Sequence, residues 1–193
     1  MIKSISIYCA SSTQINKEYI DSAYRLGEIL AQNGIITIYG GGSVGSMGAI
    51  ADAVLLNKGH LVGVIPRFMM ELEWGHPSAT EMHVVDTMAE RKQQFIDKAD
   101  AIVALPGGTG TLEELAEAIS LKKLGLCPKP IVILNTNGFY DHFIKFIEQM
   151  IHEHFMRKEH IELFSVANKP EEVLDKIKNA PDWSNIAIKL AAI

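Results

Sequence analysis

The chain has 193 residues, of which 48% are hydrophobic and 21% charged. A chain of this size and polarity can bury a core, which excludes intrinsic disorder and a collagen-like fibre, and the length suits one domain spanning residues 1–193. Its net charge of −5 lacks the basic excess that displaces counterions from nucleic acid, so no nucleic-acid partner is expected.

Short apolar runs alternate with longer segments of helical period. The opening strand candidate, Ser4–Cys9, sits in a start too short and too alternating for a secretory signal. A helix follows over Lys17–Gln32, with Ile20, Ala23, Tyr24, Gly27 and Leu30 on one face. Next come strand Ile35–Tyr39, helix Met47–Asn57, strand Leu61–Ile65 and an irregular stretch, Arg67–Thr80, whose length suggests a functional loop. Strand Glu81–Val85, helix Met88–Lys98, strand Ala101–Leu105 and helix Leu112–Leu124 continue the alternation. Strand Ile131–Leu134, helix Tyr140–Glu153, a short strand at Leu163–Val166 and helix Pro170–Lys178 complete it. The tail after Pro181 is mildly apolar and suits docking on the body or on a second subunit. Strict alternation with apolar strands predicts a doubly wound, Rossmann-like α/β parallel sheet with helices on both faces. No run of about 18 apolar residues spans a membrane. The two cysteines, Cys9 and Cys127, share no CxxC spacing, which fits a reducing compartment, and a soluble cytoplasmic protein is expected.

Eight of the 15 glycines fall in two windows: Gly40, Gly41, Gly42, Gly45 and Gly48, then Gly107, Gly108 and Gly110. Both windows begin where a strand ends and a helix starts, the edge at which open parallel sheets bind ligands. The first window formally fits GxGxxG. The dinucleotide version follows the first strand and needs an acidic residue after the next one, but here that strand ends in Ile65-Pro66-Arg67. A phosphate-binding turn on the free amides of the Met47 helix and a plain tight turn stay open. The second window, Pro106-Gly-Gly-Thr-Gly-Thr111, lacks the Gly-Lys-Ser/Thr of a P-loop, yet its small residues and hydroxyls ahead of a helix make an anion cradle. Glu114 has two readings: it closes a capping box with Thr111, or it places a carboxylate beside a cationic, oxocarbenium-like sugar. Arg91 and Lys92 are either solvated helix charges or phosphate ligands, and Glu90 suits a cap on Thr87. The histidines, among them His152, His154 and His160, form no metal set, and no metal is expected.

Taken in order, the GGGSxGxMG turn, Glu73-x-x-His76, Met88-x-x-Arg91-Lys92 and Pro106-Gly-Gly-x-Gly-Thr111-x-x-Glu114 resemble the LONELY GUY (LOG) family of cytokinin riboside 5′-monophosphate phosphoribohydrolases. The resemblance runs from Ile5 to Glu172. It implies a Rossmann-like homodimer or assembly of dimers that cleaves the N-glycosidic bond of a nucleoside monophosphate, such as AMP or a cytokinin nucleotide, without cofactor. It makes Arg91 and Glu114 the catalytic pair. Gly108, Thr109, Gly110, Thr111, Leu112 and Glu113, with Gly42, Ser43 and Gly45, would hold the nucleotide, while Glu73, Lys92 and Ser120 would line its pocket. Ser46 and Leu121 stand where the family usually has leucine and tryptophan, so the base-side wall is expected to differ. The label "lysine decarboxylase-like", which such sequences have carried, fits poorly, because pyridoxal chemistry needs a Schiff-base lysine in its own surroundings. A second functional class, a non-catalytic nucleotide or cofactor carrier, would need the glycine turns but not both Arg91 and Glu114.

Overall fold

The computed structural model describes residues 2–72 and 74–184, with Ala187 and Leu190. Its strands are β1 (Ser4–Tyr8), β2 (Ile36–Tyr39), β3 (Leu61–Pro66), β4 (Glu81–Val85), β5 (Ala101–Ala104), β6 (Ile131–Leu134) and β7 (Ser165–Ala167). Between them run α1 (Lys17–Gln32), α2 (Gly45–Leu56), α3 (Arg67–Glu71), α4 (Met88–Lys98), α5 (Thr109–Lys123), α6 (Asp141–His152) and α7 (Val173–Lys178). The seven strands form one parallel sheet in the order β4-β3-β2-β1-β5-β6-β7. The doubly wound α/β single domain read from the alternation is therefore present.

The central strands are largely apolar because both of their faces are covered, whereas the edge strand β4 is partly exposed. Ile5, Ile7, Tyr39 and Val103 pack with Leu26 and Ile50 of α1 and α2 on one face. Tyr8, Val64 and Ile102 pack with Phe95 and Leu115 of α4 and α5 on the other. Ser6 and Thr37 are fully buried polar exceptions, and the Ser6 hydroxyl donates to the Phe95 carbonyl at 2.6 Å. Gly27 lets α1 approach α2 closely: a β-carbon there would sit 2.7 Å from the Ile50 carbonyl oxygen.

Several boundaries differ from the sequence expectation. The α2 helix begins at Gly45 and α5 at Thr109, each ahead of the first apolar residue of its pattern. Pattern marks the buried stripe, whereas the start of α5 is set by the extended backbone of Gly108 (φ −85°, ψ −159°). Thr111 therefore lies inside the first turn, and the capping box does not form. The Arg67–Thr80 stretch carries a short helix, α3, rather than being irregular throughout. Residues 158–163 form a 3₁₀ helix, so β7 starts two residues later than expected. The tail docks on the body at Trp183, which is fully buried with its ring 6.1 Å from that of His160 and tilted by 40° to it; the His160 ring nitrogen Nε2 bonds the Leu190 carbonyl at 3.0 Å.

Candidate active site

Strand order reverses between β1 and β5, the place where a parallel sheet opens a crevice at its carboxyl edge. A cavity of about 690 Å³ lies there, within the usual size of small-molecule sites. It is lined by the β1–α1 loop (Cys9 to Ser12), the β2–α2 turn, Ile65, Met69, Trp74, Met88, Arg91, the 108–111 turn and Glu114.

Helical spacing puts Met88 and Arg91 on one face of α4, and Thr111 and Glu114 on one face of α5. The Thr87 hydroxyl accepts from the Glu90 amide at 3.1 Å and Glu90 accepts from the Asp86 amide at 2.9 Å, which fixes where α4 starts. Arg91 is then directed inward and is only 6% exposed. Its Nε donates to the Val64 carbonyl and its Nη2 to the Gly40 carbonyl, each at 3.0 Å, while the guanidinium lies 5.2 Å from the centre of the Phe95 ring. The remaining nitrogen, Nη1, stands 3.6 Å from Oε1 of Glu114, an ion pair without a hydrogen bond. Glu114 is 9% exposed. Burial pushes its carboxyl up to about 7, and Arg91 pulls against that rise. Burial likewise pushes Arg91 below its ordinary value, with Glu114 opposing. A carboxyl poised this close to neutrality can hold or release a proton during a reaction. Cys9 also faces the cavity, but burial first and Glu114 second hold its thiol far above the thiolate range, so it is not an activated nucleophile.

The two glycine windows play different parts. At the second, the first intrahelical bond of α5 runs from the Leu112 amide to the Gly108 carbonyl, so the amides of residues 109–111 precede it. A β-carbon at Gly108 or Gly110 would meet nothing within 4 Å, whereas one at Gly107 would collide with the Thr111 hydroxyl. Gly108 and Gly110 thus leave open space in front of a positive helix end, a cradle for an anion. At the first window the Met47 amide is taken by the Ala10 carbonyl at 3.0 Å, so it is not free as the sequence suggested. Gly45 adopts φ +61° and presses on the Ser11–Ser12 backbone, joining α2 to the first loop instead of lining the cavity. Gly42 and Ser43 do line it.

Lys92 points elsewhere: its ammonium pairs with Glu113 at 2.8 Å and Glu117 at 3.2 Å, bridging α4 to α5. Leu112 is 44% exposed and outside the cavity lining. The Ser120 hydroxyl donates to its own helix, at the Ala116 carbonyl. Glu73 lies outside the described residues. Sequence reasoning missed Ser11 and Ser12, although their signal was available as two small hydroxyl residues directly after the strand beside the crossover. Nor did it bring Met47, Met69 and Met88 together at one pocket, because no short motif marks an apolar wall assembled from three separate segments.

Residues 47–177 match the family model described as "Possible lysine decarboxylase". The cytokinin riboside 5′-monophosphate phosphoribohydrolase LOG of Oryza sativa subsp. japonica is 40% identical over 174 residues, spanning 90% of this chain and 72% of that protein. An Arabidopsis thaliana relative of the same description is 36% identical over 187 residues, 96% of this chain and 87% of its own length. Among solved structures, the molybdenum cofactor carrier protein of Chlamydomonas reinhardtii superposes with a TM-score of 0.72 at 21% identity, covering 93% of this chain and 98% of that one. That last likeness is one of fold. At the level of sequence, the motif order, the family match and identity to the phosphoribohydrolases over nine-tenths of the chain place this protein in the LOG family.

Proposed function

We propose that this chain hydrolyses the N-glycosidic bond of a purine nucleoside 5′-monophosphate, giving free base and ribose 5-phosphate. The observation that carries the reading is the buried Arg91–Glu114 pair facing the same cavity as an open glycine cradle. The amides of residues 109–111 receive the phosphate, and that remote binding energy holds the sugar in place. As the C–N bond breaks, its electron pair leaves with the base and positive charge grows on the ribose. The ionised Glu114 carboxylate stabilises that charge and takes a proton from the attacking water, whose hydroxyl joins the anomeric carbon. The departing base gains a proton in turn. Two guanidinium nitrogens of Arg91 are committed to carbonyls, so only Nη1 is directed at Glu114 and the reacting region. A carrier would bind the phosphate with the same turns but has no use for a buried ion pair beside it.

The test is incubation with AMP and with isopentenyladenosine monophosphate, followed by chromatography for free base. Glu114→Gln should lose about 100- to 1000-fold in kcat, the scale of one oriented transition-state interaction. Failure to release base from either nucleotide refutes the reading, and so does equal cleavage of the nucleoside without its phosphate.

The same reading includes a homodimer working in the cytoplasm. Phe68, Leu72 and Trp74 leave an apolar strip that is 51%, 56% and 53% exposed along α3 and the loop after it, the kind of surface that subunits cover. Sedimentation should show a dimer that Phe68→Glu with Leu72→Glu converts to monomer. A monomer in the parent protein overturns this part.

A further inference from the structure

The cavity wall formed by Met69 and Trp74 comes from the stretch between β3 and β4, far in sequence from the charged pair. Its fixing points are few and specific. Gly75 forms an isolated antiparallel bridge with Gly42, and the His76 amide donates to the Gly41 carbonyl at 2.8 Å. The His76 side chain is 8% exposed and spans two further partners. Its Nδ1 accepts from the Ser78 amide at 3.2 Å, which leaves Nε2 to carry the hydrogen and donate to Oδ1 of Asp52, also at 3.2 Å. Asp52 belongs to α2, the helix that grows out of the first glycine turn. The same turn gives its Gly40 carbonyl to Arg91. Three successive glycines thus tie the guanidinium, the Trp74 wall and α2 into one unit.

We infer that His76 is a positioning residue: by clamping the Trp74 segment to Asp52 and the Gly41–Gly42 turn, it sets the width of the cavity at the Met69–Trp74 wall and so governs nucleotide affinity. The role in catalysis rests on the hydrolase reading above. The clamp itself rests only on the contacts just described. Loss of the clamp lets the wall move without touching Arg91 or Glu114, so substrate binding falls while the chemical step is preserved.

The experiment compares His76→Ala, Asp52→Ala and Asp52→Asn with the parent enzyme. KM for the nucleoside monophosphate should rise about tenfold in the two alanine variants, the size of one hydrogen bond to a carboxylate, with kcat within about threefold. Asp52→Asn keeps an acceptor in place and should restore the parent KM. The double alanine variant should be no worse than His76→Ala alone, because both changes break one contact. A second measurement does not depend on catalysis. Labelling with 5-fluorotryptophan gives one ¹⁹F signal for each of the two tryptophans, Trp74 and the buried Trp183. The Trp74 signal should move in both alanine variants and not in Asp52→Asn, while an unmoved Trp183 signal reports an intact fold. If the parent enzyme releases no base, the hydrolase reading falls and the Trp74 signal alone judges the clamp. An unmoved Trp74 signal overturns the clamp, and so does an unchanged KM in an active enzyme. Should His76→Ala not fold, Asp52→Ala, altered at a surface residue, decides for or against the clamp by the same two readouts.

Discussion

Replacing Arg91 by alanine should raise the pH at which Glu114 ionises. Burial holds that carboxyl at about 7, and Arg91 is the strongest influence pulling it down. The nearest guanidinium nitrogen lies 3.6 Å from the carboxylate oxygen. Across that gap the attraction is about 5 kcal/mol at an effective dielectric constant of ~20, and about 1 kcal/mol at ~80. At about 1.36 kcal/mol per pH unit, the midpoint should climb by roughly one to three pH units, towards the lower figure if water fills the space that the side chain leaves. The assay is a ¹³C NMR titration of glutamate-labelled free protein, with Glu114→Gln identifying the resonance. Working without substrate removes the phosphate, which itself titrates near pH ~6. A midpoint that stays put or falls refutes the claim that the two buried groups are electrostatically coupled. The catalytic consequence has the same sign. In the mechanism proposed above the carboxylate is the working form, so kcat/KM in the parent enzyme should rise with pH through about 7.

Three further outcomes follow from the packing. Gly107→Ala forces a β-carbon into the Thr111 hydroxyl and should lower the melting temperature, whereas Gly108→Ala and Gly110→Ala meet open space and should keep it while raising KM; calorimetry and kinetics on the three variants check the contrast. Burial pushes the Lys122 ammonium down from 10.5 to about 8, so the folded chain gives up its proton before the unfolded chain does, and stability should rise as pH climbs between those values. Lys122→Met keeps the apolar stem and should stabilise the fold at pH ~7 by up to about 3 kcal/mol in a denaturant titration; no gain would show that the ammonium is well solvated. Trp183→Ala should cost about 3–5 kcal/mol, because a fully buried indole that anchors the tail is lost; a cost under ~1 kcal/mol would mean that the tail contributes little to the core.

The architecture was legible because short apolar runs and helical periodicity are local. Lys17–Gln32 and Met88–Lys98 fall where their apolar stripes put them. The start of α5 was not legible in that way. Thr111 and Glu114 carry the letters of a capping box, but the conformation of Gly108 begins the helix earlier and turns both side chains inward. Arg91 shows the same limit. Beside Lys92 it also reads as a solvated charge, and only the approach of the Val64 and Gly40 carbonyls, both remote in sequence, separates the buried guanidinium from its neighbour. The cradle was visible because glycine has few other reasons to cluster. The Met69–Trp74 wall was not, since its anchoring through Gly75 and His76 is a tertiary fact.

Residues 67–80 leave the sheet after β3 and return to it as β4, carrying Met69 and Trp74 with them. Arg91, Glu114 and the cradle all lie further along the chain. The Met69–Trp74 wall and the Arg91–Glu114 pair are thereby housed in separate stretches of sequence, joined through the backbone of Gly40, Gly41 and Gly42. Such an arrangement lets the excursion lengthen, shorten or change its side chains while the charged centre keeps its spacing. Under the hydrolase reading proposed above, grafting the corresponding stretch from a relative into this chain should change base preference while leaving the Arg91–Glu114 pair in place.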